Sequence, residues 1–243
     1  MLLRYTSTGY LLLAPEDDPE KMVDAMLKTG YNEEFCLSLH FEPDFVARLM
    51  AAGFLVMSCG IGDPHNETDD EPFFILLPKL HLARSVLFFE NLHIKKSIAR
   101  HLGRYELRAD ADFDRIVANC IGKHGDGWLT PPLVDAIKAI REKPLYGAYP
   151  TSFALYRDGE LVAGEFGITV GGIYTSYSGY YDENNAGTVQ MILATNYLQE
   201  QGFAFFDLGM PLNYKNELGA VDIDPETFVS LFRAAQHPKI MPS

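Results

Sequence analysis

The sequence predicts an α+β fold in which a smaller N-terminal domain precedes a larger one. Three observations carry this reading. From Thr151 onward come three strand-like runs separated by tight turns, then a helix, then a buried strand, which is an α+β order. Upstream, amphipathic helices alternate with short apolar runs. The length of 243 residues, 47% hydrophobic and 22% charged, suits one large domain or two small ones, and excludes a disordered, collagen-like or coiled-coil chain. The division is placed at residues 1–84 and 85–243.

Tyr5 to Leu13 reads as a short strand or extended arm, and Glu16 to Glu20 as an acidic turn. Met22, Val23, Met26 and Leu27 give Pro19 to Lys28 one apolar helical face. Phe45, Val46, Leu49 and Met50 do the same for Pro43 to Ala52, with Gly53 at the C-cap position. Phe54 to Met57, Phe73 to Leu77 and Ser85 to Phe89 are strand-like, and Gly60 to Glu71 reads as a polar surface loop. Lys95 to Leu102 predicts a helix and Tyr105 to Arg108 a strand. Asp110, Asp112 and Asp114 open a helix to about Cys120, where carboxylates suit the macrodipole without any metal. Thr130 is placed as N-cap for a helix from Pro131 that ends near Lys143-Pro144.

In the second half, Ser152 to Tyr156 and Leu161 to Thr169 are strands joined by a turn over Arg157 to Glu160. Gly171-Gly172 turns the chain into a third strand, Ile173 to Tyr181. Asn184 or Asn185 caps a helix from Ala186 to Gln201, and Phe203 to Leu208 follows as a buried strand. Gly209 to Leu218 is read as a loop, and Asp224-Pro225 starts the last helix.

Twenty Lys and Arg against 33 Asp and Glu give a net charge of −13, which argues against a protein coated by nucleic acid. The distribution is uneven. Lys79, Arg84, Lys95, Lys96, Arg100, Arg104 and Arg108 face only Glu90 and Glu106 between residues 79 and 108, a local +5 in a remainder of −18. That stretch is either a solvated basic face or a small anion-binding patch. Cys36, Cys59 and Cys120 form no CxxC pair, Met1 to Pro15 has no basic n-region or cleavage site, and no apolar run reaches roughly 18 residues. A cytoplasmic protein with free thiols is expected. The P-loop, G-x-S-x-G, H-E-x-x-H and G-x-G-x-x-G signatures are absent, and neither a metal site nor a cofactor is expected. Period two along Ile173 to Tyr181 puts Tyr174, Ser176, Ser178 and Tyr180 on one face, lining either a pocket or a two-sided core. Asp207 ends an apolar strand, where a carboxylate is either a satisfied structural group or a site residue, with Asn213, Tyr214 and Lys215 as possible partners.

Several blocks resemble the leucyl/phenylalanyl-tRNA–protein transferases. Gly127-Trp128-Leu129-Thr130 with Val134-Asp135-Ala136 is similar to that family's G-T-W-I-T…V-x-E-A-Y, and Asp158 to Gly167 to its D-G-E-L-V-G-G-x-Y-G. Asn185-Ala186 resembles its E-N-A-S, and Asp207 with Leu218-Gly219-Ala220 its I-D-C-Q…S-L-G-A. Arg84-Ser85-Val86-Leu87 and Leu92-His93-Ile94 resemble R-x-V-L and L-H-I, so the likeness runs from about Phe45 to Phe232. Departures fall on the chemistry. Gly209 stands where the family has Gln, Tyr177 where a Glu helps hold the acceptor amine, Met57 where an aromatic platform is usual, and Ile137 where V-x-E-A-Y ends.

The resemblance implies a GNAT-like acyltransferase domain preceded by a smaller α+β domain. It further implies an enzyme of the N-end degradation system that moves Leu, Phe or a similar residue from the 3′ end of tRNA to the N-terminal α-amine of a protein. In that scheme Asp207 orients or deprotonates the amine, and Asn213 with a neighbouring N–H supports the carbonyl oxygen. Trp128 stacks on the terminal adenine, worth ~1–3 kcal/mol. Tyr174, Ile173 and Met57 shape an apolar side-chain pocket, while Tyr177 and Gly209 occupy substrate-facing positions. Arg84, Lys95, Lys96 and Arg100 meet tRNA phosphates. The partners implied are aminoacyl-tRNA and an acceptor N-terminus, with neither membrane nor DNA. Two alternatives stay open: a different acceptor amine, and a non-catalytic binder of aminoacyl-tRNA or peptide.

Overall fold

The computed structural model describes residues 3–61 and 73–236. The surface loop expected from Gly60 to Glu71 lies, from residue 62 on, outside the described residues. In chain order the elements are β1 (Arg4–Tyr5), β2 (Leu11–Leu12), α1 (Pro19–Thr29), α2 (Pro43–Ala51), β3 (Leu55–Ile61), β4 (Phe73–Lys79) and β5 (Arg84–Leu87). Then come α3 (Lys96–Ala99), β6 (Glu106–Ala109), α4 (Phe113–His124), α5 (Pro131–Glu142), β7 (Ala148–Arg157), β8 (Glu160–Val170) and β9 (Ile173–Tyr181). The chain ends with α6 (Ala186–Glu200), β10 (Phe205–Gly209), α7 (Asn213–Glu217), β11 (Val221–Ile223) and α8 (Pro225–Gln236). The α+β class is as the sequence predicts.

The chain forms two compact units, Met1–Leu82 with Gly125–Ala148, and Ala83–His124 with Tyr149–Ser243. The expected single cut between 84 and 85 is therefore corrected, because α5 returns to the first unit and packs on α2. Both helices supply the apolar stripe for that contact, Phe45, Val46, Leu49 and Met50 on α2 and Leu133, Ala136, Ile137 and Ile140 on α5. α1 is fixed at both ends, by the Asp18 carboxylate accepting from the Glu20 and Lys21 N–H groups and by left-handed Gly30. β3 and β4 pair antiparallel, Met57 opposite Leu77.

Thr130 takes the N-cap position of α5, but its hydroxyl does not cap the helix. It bonds the Ser58 hydroxyl at 2.8 Å instead, and Ser58 also donates through Oγ and N to the Trp128 carbonyl, both at 3.0 Å. Ser58 thus ties the Gly127 to Thr130 block to β3.

The second unit is built on a seven-stranded sheet in the order β11-β5-β10-β9-β8-β7-β6. β8 and β9 are antiparallel, β9 and β10 parallel with α6 as the crossover, and β5 returns antiparallel to β10. Asp158 (φ 52°) and Gly159 (φ 85°) are both left-handed, as the two-residue turn between β7 and β8 requires. One face of the sheet, with Phe153, Leu155, Ala163, Phe206 and Leu208, buries itself against Val189, Ile192, Ala194 and Leu198 of α6. Strand alternation sends Phe166 to the other face, where it meets Phe113 of α4 edge-on.

Two expected elements differ. Lys95 to Leu102 forms only the single turn α3, because Ile98 is its one buried residue and no apolar stripe extends it. The segment read as a loop after Gly209 contains α7, whose inward side is Lys215. The period-two reading of β9 also breaks. Phe166 pairs with Ser178 and Gly167 with Ser176, leaving Tyr177 as the extra residue of a bulge.

Candidate active-site cleft

The sequence-predicted residues do not converge on one place. Asp207 is fully buried, on the sheet face away from α6, because its neighbours Phe206 and Leu208 point to α6. Its carboxylate accepts Arg84 Nε at 2.8 Å and the Gly209 N–H at 3.0 Å on Oδ1, and Arg84 Nη2 at 2.6 Å and the Thr175 hydroxyl at 2.8 Å on Oδ2. Arg84 is 1% exposed and lies over the Phe228 ring of α8, 4.5 Å from its centroid. Two expectations are corrected here. Arg84 cannot meet a tRNA phosphate from inside the core, and Asp207 with all its acceptor positions filled is not a base for a substrate amine. Gly209 gives its N–H to the same carboxylate, so that group is not available to a carbonyl oxygen.

Tyr174 and Ile173 are 0% exposed, Tyr174 packing between Phe153 and Phe206. They are core residues and not the walls of an open pocket. Tyr177 packs on Phe166, on the face opposite α6. Asn213 is exposed at the start of α7. Met57 and Trp128 belong to the first unit, half-buried and brought near each other by the Ser58 bonds. Of the basic residues, Lys79 pairs with Glu34, Lys95 with Glu217 and Arg108 with Glu106. Lys96, Arg100 and Arg104 are exposed and carry no ion pair among the described residues.

The open site of the second unit is a cleft of about 740 Å³, lined by Glu165 of β8, Ser176 and Gly179 of β9, Gln190 and Met191 of α6, and Lys215 of α7. Asn185, Thr188 and Tyr214 border it and also a smaller cavity of about 220 Å³ that reaches Lys95 and Ser97. His124 stands at the rim, a ring nitrogen 2.8 Å from the Gly179 carbonyl.

Glu165 lies at the floor, 3% exposed. Burial pushes its carboxyl up to about 7, although Ser176, Tyr174, Lys215 and Gln190 all favour the anion. These neighbours are near without closing the site: Glu165 Oε1, the Tyr174 hydroxyl and Gln190 Nε2 are buried and complete no hydrogen bond. Lys215 is 7% exposed, and burial lowers its ammonium to about 8. Two of its three N–H groups hold the Leu208 carbonyl at 2.5 Å and the Met210 carbonyl at 2.8 Å, which leaves one uncommitted.

Sequence reasoning passed over Glu165 and Gln190 and took Lys215 only as a possible partner of Asp207. The signal for Glu165 was present, a lone carboxylate inside the apolar run Leu161 to Thr169. Among the described residues no group of three or more His, Cys, Asp or Glu could hold a metal ion, and no helix is long and apolar enough to cross a membrane.

The sequence profile of the family described as leucyl/phenylalanyl-tRNA protein transferase matches residues 86–233. A leucyl/phenylalanyl-tRNA–protein transferase of Pseudomonas putida is 31% identical over 152 residues, which cover 60% of this chain and 66% of the relative. One from Maridesulfovibrio salexigens is 25% identical over 164 residues, 65% of this chain and 67% of the relative. The first of these matches thus spans just under two thirds of its relative. Among solved structures, L-PGS from Bacillus licheniformis is 14% identical with a TM-score of 0.43, covering 97% of this chain and 89% of that one.

Proposed function

The chain belongs to the leucyl/phenylalanyl-tRNA–protein transferase family, and from that premise we propose that it is a cytoplasmic aminoacyltransferase. It moves an aminoacyl group from the 3′ end of tRNA to the N-terminal α-amine of an acceptor protein marked for degradation. The observation that supports this most is that Asn185, Thr188 and Tyr214 border both cavities, so the smaller one, lined by Lys95 and Ser97, adjoins the cleft with Lys215. A tRNA end could be held by phosphates at the first and present its ester in the second.

The reaction needs little driving. The acceptor nitrogen attacks the ester carbonyl carbon, the C–N bond forms, the bond to the ribose oxygen breaks, and a proton passes from the nitrogen to that oxygen. The protein must align amine and ester, which contributes ~7–11 kcal/mol in well-oriented systems, and stabilise the oxyanion of the tetrahedral intermediate. Lys215 suits the second task. Its ammonium is fixed by two backbone carbonyls, its remaining N–H is free for an oxyanion, and it stays charged below about pH 8.

The test is transfer of labelled amino acids from charged tRNAs to a panel of peptides differing at the first residue. Turnover of any donor onto an N-terminal amine supports the reading. Tight binding of charged tRNA with no turnover on any acceptor would replace it with a binding function.

A further inference from the structure

The loop leaving β10 carries an apolar lip beside the cleft. Met210, Leu212 and Tyr214 are 46%, 39% and 51% exposed, three large apolar side chains within one short loop. Single exposed apolar residues are ordinary, but a cluster of them at the edge of a cleft marks a binding surface. The lip is firmly anchored. The Gly209 N–H is fixed on the Asp207 carboxylate, the Met210 carbonyl accepts Lys215 Nζ at 2.8 Å, and the Leu212 carbonyl accepts the Lys215 backbone N–H at 2.9 Å. Tyr214 lines the cleft itself, together with Lys215. A surface held in this way loses little freedom when a ligand lies on it.

The chemistry of the lip restricts its occupant. From Gly209 to Tyr214 there is no Lys or Arg, so a phosphate of tRNA finds no cation in this segment. A second copy of the chain is disfavoured by size, since a stable interface takes roughly 800 Å² from each partner, more than three partly exposed side chains supply. The remaining reactant is the acceptor polypeptide. Its amine has to reach the aminoacyl ester beside Lys215, and the lip begins one hydrogen bond from that ammonium, at the Met210 carbonyl. An extended chain advances roughly 3.3 Å per residue and turns alternate side chains to opposite sides. The residues directly behind the acceptor's first one therefore come within reach of Met210, Leu212 and Tyr214.

We propose that Met210, Leu212 and Tyr214 dock apolar side chains at the second and third positions of the acceptor polypeptide, so that acceptor choice extends past the first residue and favours an extended, apolar N-terminus. This rests on the aminoacyl-transfer reading above and adds to it the class of acceptor. The driving force is removal of apolar surface from water. It acts equally on the bound acceptor and on the transition state, so it lowers KM and leaves kcat nearly unchanged.

Peptides that share one first residue and differ only at positions two and three, Leu-Phe against Ser-Gly, test the lip in transfer from charged tRNA. The Leu-Phe peptide should show a KM lower by about tenfold or more at a kcat within about twofold, and Met210→Ser with Leu212→Ser should remove most of that advantage. Both substitutions are at exposed positions and keep the backbone carbonyls that hold Lys215 and start α7. Val221→Ser, at another exposed apolar residue, should keep the full preference. Equal KM values for the two peptides, or a preference that the double variant retains, overturns the proposal. A double variant that loses affinity for charged tRNA, or that dissociates a dimer formed by the parent, also overturns it and assigns the lip to the nucleic acid or to a second copy. If no charged tRNA supports transfer, calorimetric binding of the same two peptides separates the two readings. Tighter binding of the Leu-Phe peptide that the double variant loses keeps the lip and removes the transferase reading, whereas equal binding, or none, removes both.

Discussion

Arg84 and Asp207, 123 residues apart in sequence, meet side-on in the core of the second unit, Nε to Oδ1 at 2.8 Å and Nη2 to Oδ2 at 2.6 Å, at 1% and 0% exposure. With Thr175 and the Gly209 N–H completing the carboxylate, the pair joins β5, β9 and β10. Asp207→Asn removes the anion that the buried Arg84 guanidinium meets with two of its nitrogens. It should lower unfolding stability by about 3–5 kcal/mol, read as a reduced urea midpoint, while transfer per folded molecule changes only a few-fold. Unchanged stability with a hundredfold loss of transfer would instead return Asp207 to the chemistry.

Glu165 gives the molecule a signature in pH. Its carboxyl is raised by burial to about 7 from an ordinary 4.5, so between those values the folded chain holds a proton that the unfolded chain has lost. The stability linked to this group is full below pH 4.5 and declines as pH rises toward 7. Glu165→Gln, which cannot ionise, should remove that decline. Its stability relative to the parent should therefore improve from pH 5 to pH 8, by on the order of 3 kcal/mol at most. Parallel urea titrations of the two proteins across this range check it, and identical pH dependence would place the carboxyl in contact with water.

Lys215 should act on rate more than on binding. Lys215→Met keeps the length of the side chain and removes the ammonium. Transfer should fall about 10²–10³-fold in kcat, the range found on removing one oxyanion donor, with little change in the affinity for charged tRNA. Because burial lowers the ammonium to about 8, transfer by the parent should decline above that pH. A high-pH limb that persists in a weakly active Lys215→Met would assign the titration to another group.

The motif glycine of Leu218-Gly219-Ala220 has a steric reason. It sits at φ +101°, and a Cβ there would lie 1.9 Å from the Asn91 carbonyl oxygen, where His93 N–H also bonds the Leu218 carbonyl at 2.9 Å. Gly219→Ala must shift backbone against backbone in a conformation that L-residues avoid. A loss of about 2–3 kcal/mol or more in unfolding free energy is expected.

What the sequence made legible was local. The strands from Ala148 to Tyr181, the helices around Met22, Phe45 and Leu133, and the cap at Asp224 follow from periodicity and turn chemistry that neighbouring residues determine. The site depended on long-range partners. Nothing near Arg84 announces that Asp207 will bury it, so it counted as a surface cation. The bulge at Tyr177 shifts the face of every later residue of β9 by one, which no period-two reading anticipates. Thr130 has the right type and place for a cap, yet Ser58, 72 residues away, takes its hydroxyl. Glu165 was legible as an anomaly of pattern, but its meaning lay in Gln190 and Lys215 arriving from α6 and α7.

The same pairing decides which cations are left for tRNA. Of the seven basic residues between 79 and 108, Lys79, Arg84, Lys95 and Arg108 are in ion pairs, and the exposed Lys96, Arg100 and Arg104 on and just after α3 remain. Each phosphate contact by such a cation contributes roughly 0.7–0.9 to the slope of log affinity against log salt. Binding of tRNA should therefore be salt-sensitive with a shallow slope of about 2–3. Lys96→Ala with Arg100→Ala should weaken affinity and flatten the slope by about 1–2, while Lys79→Ala should leave both unchanged. Filter binding from low to moderate salt distinguishes the cases, and a double variant with the parent's slope would make this segment a solvated face only.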